Sequence, residues 1–217
     1  HGKPCMKARR TFAARNAAQH RAPGQLSGFV RRLYRYCTGL IDYSEVRSQL
    51  AMTVHLVLAD TPDRIEAARA LFLEYANTLG FKLCFQGFDQ ELAGLPGAYA
   101  PPHGRLLLAL DAHGQALGCV GVRPLASTDG RRLAELKRLY VRAPARGTGL
   151  GARLTAAALD FARAAGYAAI RLDTLPSMQT AIAMYERLGF RDIAPYYDNP
   201  IAGARYLELA LLNGAGA

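Results

Sequence analysis

Arg146-Gly147-Thr148-Gly149-Leu150-Gly151 is the part of the sequence whose residue types and spacing most clearly suit chemistry. Glycines without Cβ atoms turn tightly and let backbone N–H groups approach an anion, and a helix N-terminus directly behind them adds positive potential. A pyrophosphate is the natural guest. A turn that merely needs positive φ would look the same, so the surroundings must decide. A P-loop needs Gly-Lys followed by Ser or Thr, and no such run occurs. A dinucleotide site is harder to dismiss, because Gly147-x-Gly149-x-x-Ala152 fits a permissive fingerprint and Asp173 ends the next strand-like run. Against it, the loop comes late and too little chain follows to build a doubly wound parallel sheet.

The elements that must position this loop can be read from periodicity and punctuation. Thr53 to Ala59 is short and β-branched and predicts a first strand. A helix follows, with Thr61 as N-cap, Pro62 in the first position, Asp63 at the positive end of the dipole and Gly80 beyond its end. Ile65, Ala68, Phe72, Tyr75, Ala76 and Leu79 share its apolar face. Lys82 to Pro102 is loop-like, with a short helix at Asp89 to Ala93.

Strands are expected at Arg105 to Asp111, Ala116 to Pro124 and Leu133 to Val141, joined by turn-rich segments at 112–115 and 127–131. The pattern then changes to helix (Gly149 to Ala165), strand (Ala169 to Thr174), helix (Gln179 to Leu188) and a last strand at Tyr206 to Leu211. The fold class is therefore α/β: a mixed sheet with an N-terminal antiparallel meander, one parallel crossover and a C-terminal hairpin.

Taken together, Leu139-Tyr140-Val141, the loop from Arg146 to Gly151, and Ala181-Ile182-Ala183-Met184-Tyr185-Glu186-Arg187-Leu188-Gly189-Phe190 resemble the acetyl-coenzyme A site of the GNAT superfamily. The resemblance covers about residues 52–212, densest from Leu133 to Phe190. It implies an acyltransferase moving an acetyl group from acetyl-coenzyme A to a primary amine of a small molecule or protein, with residues 146–152 on the pyrophosphate and Leu139 to Val141 along the thioester arm. A non-catalytic acyl-coenzyme A binding module is the competing reading.

An alkyl amine with a pKa of about 10.4 is protonated at neutral pH, so such an enzyme needs a general base. Glu135 stands at the separation from Arg146 where several family members carry one; the alternative is a salt-bridged glutamate beside Lys137 and Arg138. Tyr185 matches the tyrosine that protonates the departing sulfur, the alternative being a packed residue of its helix. Many relatives have Asn three residues before the alanine of that helix, where its amide contacts the pantetheine arm. Here the position is Met178, whose thioether cannot donate that bond. The acceptor pocket implied by the resemblance draws on Phe85 in Cys84-Phe85-Gln86-Gly87-Phe88, and on Tyr196, Tyr197 and Asp198 before the last strand. Aromatic faces and one carboxylate would suit a cationic amine, although the second segment also reads as a plain turn.

Composition bounds the rest. Most of the net charge of +10 resides in the N-terminal segment: residues 1–51 hold 10 Lys and Arg against Asp42 and Glu45, leaving 17 basic and 15 acidic residues beyond. We read 1–51 as a basic extension, 52–212 as the acyltransferase domain and 213–217 as a tail. The extension is vector-derived sequence or a misplaced upstream start, a flexible arm, or a targeting segment; the first is favoured. A nucleic-acid tether is disfavoured because its Lys and Arg are mostly not interleaved with aromatics, although Phe29, Tyr34 and Tyr36 keep it open. No apolar run reaches the roughly 18 residues of a membrane span. Cys5, Cys37, Cys84 and Cys119 show neither a C-x-x-C pair nor metal-ligand spacing, so no disulfide framework and no metal are expected, and a cytoplasmic location with reduced thiols is. The oligomeric state is not fixed by the sequence, and a homodimer stays open.

Overall fold

Seven strands form one sheet in the order β1-β2-β3-β4-β5-β7-β6. The computed structural model describes residues 54–211 apart from 82, 84, 85 and 128. The expected boundary at 51/52, the tail and Phe85 lie outside the described residues.

β1 (His55–Leu58), β2 (Arg105–Leu110), β3 (Ala116–Leu125) and β4 (Leu133–Val141) pair antiparallel in sequence order. β4 then pairs parallel with β5 (Ala169–Thr174) through the crossover helix α3 (Leu150–Ala164). The chain ends with β6 (Arg191–Asp192) and β7 (Arg205–Ala210), but β7 inserts between β5 and β6. The C-terminal hairpin is thus present with its second strand innermost. β6 has only two residues, both exposed, and offers no apolar alternation by which sequence could reveal it.

Period-two alternation gives the sheet its two apolar faces. Leu107 and Ala109 of β2 face α3, which buries Leu150, Leu154, Ala158 and Ala162 against them. Leu106 and Leu108 face the other way, onto α1 (Pro62–Thr78) and the segment after it. α1 starts as its sequence dictates, with Thr61 accepting from the Arg64 N–H at 3.4 Å and Pro62 next. Its most buried residues are Ala68, Leu71 and Phe72, and the expected face of Ile65, Ala68, Phe72, Tyr75, Ala76 and Leu79 packs into the same cluster, widened by Leu71. The short helix expected at Asp89 to Ala93 is present as α2 (Phe88–Ala93), and the rest of that loop-like stretch adds a 3₁₀ turn at Gly97–Tyr99. Tyr99 is fully buried, its ring laid across Gly121 of β3, where a Cβ would come within 2.5 Å of it. No helix among the described residues is long and apolar enough to cross a membrane.

Candidate active site

β4 and β5 pair over only three residues each, Leu133–Glu135 with Ala169–Arg171. Beyond that register the strands have no ladder between them, and a cleft opens between Leu136–Leu139 on one side and Leu172–Leu175 on the other. Helix α4 (Gln179–Arg187) lines it with Ala181 and Tyr185, and α1 lines it with Tyr75 and Leu79. This lies at the carboxyl ends of two parallel strands, where open α/β sheets bind ligands.

A bulge shapes the β4 wall. Cys119 pairs with Tyr140 but Gly121 with Lys137, so β4 carries one extra residue there, and Arg138 takes φ 59°. A non-glycine residue holds that conformation only when its surroundings impose it. They do: Arg138 is bidentate to Glu91 of α2, Nε to Oε1 at 3.0 Å and Nη2 to Oε2 at 2.7 Å, and Nη1 reaches Gln86 at 2.9 Å. Burial works against both charges. Glu91 nevertheless stays below the usual carboxylate range because Arg138 bonds it, and Arg138 is held above its own by the same pair. Tyr99 completes the group by donating to Glu91 at 2.7 Å.

The glycine loop follows β4, one wall of this cleft, and leads into α3. Gly147 and Gly149 have φ 77° and 81°, and α3 starts at Gly149 without a side-chain cap. The first-turn N–H groups of a helix have no intrahelical acceptors, so those of Leu150, Gly151 and Ala152 are left facing outward. Arg146 is exposed, donates to Val141 O at 2.8 Å and lies 5.7 Å from the Tyr140 ring centroid. Thr148 Oγ1 donates back to Ala145 O at 2.8 Å. A Cβ added at Gly149 would meet nothing within 4 Å, and one at Gly151 only Val141 at 4.0 Å. The loop is therefore kept open on the side where an anion would sit. Residues 139–141 end β4 and residues 146–152 lead into α3; of these, Leu139 lines the cleft.

The GNAT acetyltransferase family model matches residues 67–190, more than half of the chain. The chain belongs to that family. An uncharacterised N-acetyltransferase of Schizosaccharomyces pombe is 40% identical over 150 residues, covering 69% of this chain and 90% of its own. Among solved structures, a GNAT-family acetyltransferase from Staphylococcus aureus superposes with a TM-score of 0.61 at 18% identity, covering 73% of this chain and 99% of that one. The putative acetyltransferase yncA of Salmonella typhimurium, solved with its cofactor acetyl-CoA, gives 0.56 at 20% identity over 76% and 97%. At these identities the two structures speak to the fold alone.

Within this GNAT fold the expected residues separate. Tyr185 lines the cleft beside Phe190, ring centroids 5.4 Å apart, and burial pushes its phenol well above the usual range. Glu135 meets a different geometry from that of a poised base. It is 2% exposed, does not line the cleft, and has both oxygens engaged: Arg123 donates from Nη2 to Oε2 at 2.7 Å and Tyr196 from Oη to Oε1 at 3.0 Å. Tyr196 is therefore turned toward Glu135, and burial followed by that carboxylate pushes its own phenol far up. Asp198 is exposed and lines no part of the cleft. Its neighbour Asn199 does so instead, while Tyr197 is tied to the cleft by accepting from Gln86 Nε2 at 3.0 Å and from Asn199 Nδ2 at 3.2 Å.

The carboxylate in the cleft is Asp173, with Lys137 Nζ 3.1 Å from its Oδ1. Sequence reasoning had met Asp173 only as the acidic residue of a dinucleotide fingerprint. Its position at the carboxyl end of a parallel strand was the available signal.

Proposed function

We propose that this protein transfers an acetyl group from acetyl-coenzyme A to a primary amine by direct attack. Three features carry the reading: the uncapped glycine turn at α3, the splay of β4 from β5, and Tyr185 lining the gap between those two strands. The residues present fit the co-substrate. The open backbone at Gly149 and Gly151 leaves room for a diphosphate, and the bulged β4 edge lacks a strand partner for its polar groups. When bound, acetyl-coenzyme A supplies an activated acyl carbon on a thiol leaving group.

The chain's own residues do the rest. The backbone from Arg146 to Ala152 grips the phosphates, and that of Leu139 to Val141 orients the arm. Met178 replaces an amide donor, so the α4 start contributes an apolar contact there. Tyr185 holds a proton for the sulfur. Its raised pKa keeps the phenol neutral at rest, and a thiolate forming in the same dry gap is destabilised by the same burial, so the proton moves only as the thiolate appears. Glu135 is a buried anion that fixes Arg123 and Tyr196 and flanks Lys137 at 3.6 Å, and we assign it no proton transfer.

Calorimetric titration with coenzyme A, followed by thiol release from acetyl-coenzyme A with a panel of amines, tests this. Binding plus release that Tyr185→Phe lowers is the expected result. Binding without release from any amine would mark a non-catalytic acyl-coenzyme A module, and no binding would sink the reading altogether.

A further inference from the structure

We infer that Asp173 is the group that receives the acceptor's ammonium and takes its proton, and that Lys137 holds that place when no acceptor is bound. The inference rests on the acetyltransferase reading above and adds the acceptor's side of it.

Two carboxylates lie close to the cleft, and they are held very differently. Glu135 is sealed behind Arg123 and Tyr196. Asp173 retains 13% of its side-chain exposure and lines the cleft. The Tyr197 hydroxyl is hydrogen-bonded to this carboxylate and Oδ1 accepts from Lys137 at 3.1 Å, whereas Gln86 Nε2 and Asn199 Nδ2 lie 3.5 Å from Oδ2. Bonds of that length are at the edge of what counts. The near donors are thus one neutral hydroxyl and the Lys137 ammonium, and an ammonium that took the place of Lys137 would keep the stronger, charge-assisted bond.

Lys137 is placed to yield. Its ammonium touches three acceptors, Asp173, Gln86 Oε1 at 3.3 Å and Glu135 at 3.6 Å, and two of them remain if Asp173 turns to a ligand. A buried cation without a partner would be costly, so this fallback matters. Substrate ammonium and Lys137 ammonium then exchange on one carboxylate, which selects a positively charged amine over a neutral acceptor.

The step balances. Asp173 takes one proton from the ammonium, and the freed lone pair forms the N–C bond to the acyl carbon. The C–S bond breaks, and the sulfur leaves with the electron pair and collects the Tyr185 proton. The nitrogen's second proton restores Tyr185, so the products are an amide, a thiol and one proton on Asp173 for solvent.

Because charge is what Asp173 recognises, simple alkylamines at high concentration should serve. The test measures thiol release from acetyl-coenzyme A with ethanolamine, 1,4-diaminobutane and tyramine, alongside coenzyme A affinity. Asp173→Asn is expected to lose release about 100-fold or more with coenzyme A affinity kept, and Asp173→Glu to recover part of it. Lys137→Met, which removes the internal competitor, is expected to lower the apparent KM for the amine about threefold. Glu135→Gln is expected to lower the melting temperature and to cost turnover less than about tenfold. Should Asp173→Asn not fold, the double variant Lys137→Met/Asp173→Asn, which removes both charges together, is expected to show the same loss of release. Release retained without Asp173 while Glu135→Gln abolishes it, a KM that rises in Lys137→Met, or a wild type that binds coenzyme A and releases thiol with none of the three amines would each overturn the inference. Absence of coenzyme A binding would instead overturn the functional reading beneath it.

Discussion

The two ends of the cleft are built from different materials. At the loop end the groups on offer are the backbone N–H groups of the first turn of α3, placed by two left-handed glycines and an uncapped helix start. At what we propose is the acceptor end, the polar groups are side chains from four separate segments: Gln86 and Glu91, Lys137 with Arg138, Asp173, and Asn199. Backbone donors are fixed by local conformation and tolerate most side chains. A side-chain network is fixed by tertiary packing and fails when one charge is removed.

That contrast can be broken by substitution. The largest effect is expected at the acceptor end, where Glu91→Ala strips a buried arginine of its bidentate partner; a loss of about 3–5 kcal/mol in stability by denaturant unfolding is expected. Equal stability would mean that the bulge at Arg138 is not held by that pair. Tyr185→Phe, between the two ends, should lower turnover about 100-fold and leave coenzyme A affinity and stability nearly unchanged.

Smaller effects are expected at the loop. Gly149→Ala must place a Cβ in a left-handed conformation at a cost of about 1–2 kcal/mol, which should weaken coenzyme A binding by about tenfold when titrated calorimetrically. Thr148→Ala, which removes a hydroxyl bonded only to Ala145 O, should change that affinity by less than about threefold. If Thr148→Ala proved worse than Gly149→Ala, side chains rather than backbone would dominate the loop, and the contrast would fall.

Legibility in the sequence follows the same line. The strand-loop-helix unit from Leu133 to Ala164 was visible because each of its signals is local: apolar alternation, glycines at the turn, a helical stripe behind. β6 was not, being two exposed residues added to an edge. Between Gln86 and Tyr99 the short helix at Asp89 to Ala93 was legible, but the burial of Phe88, Leu95 and Tyr99 beneath the sheet was not, because it follows no regular period. Glu135 and Asp173 show the limit most clearly. Both are acidic residues on adjacent strands, and Glu135 falls within the paired stretch of β4 while Asp173 lies two residues past the paired stretch of β5, where the strands part.

What the sequence alone determined is most of the elements and the glycine turn, since backbone conformation there depends on residues within a few positions of one another. Which carboxylate faces the cleft, and which is locked to an arginine behind it, was decided only by the tertiary structure. Strand splay, the bulge at Arg138 and the reach of Glu91 across 47 positions of sequence are properties of packing between distant segments, and no local pattern encodes them.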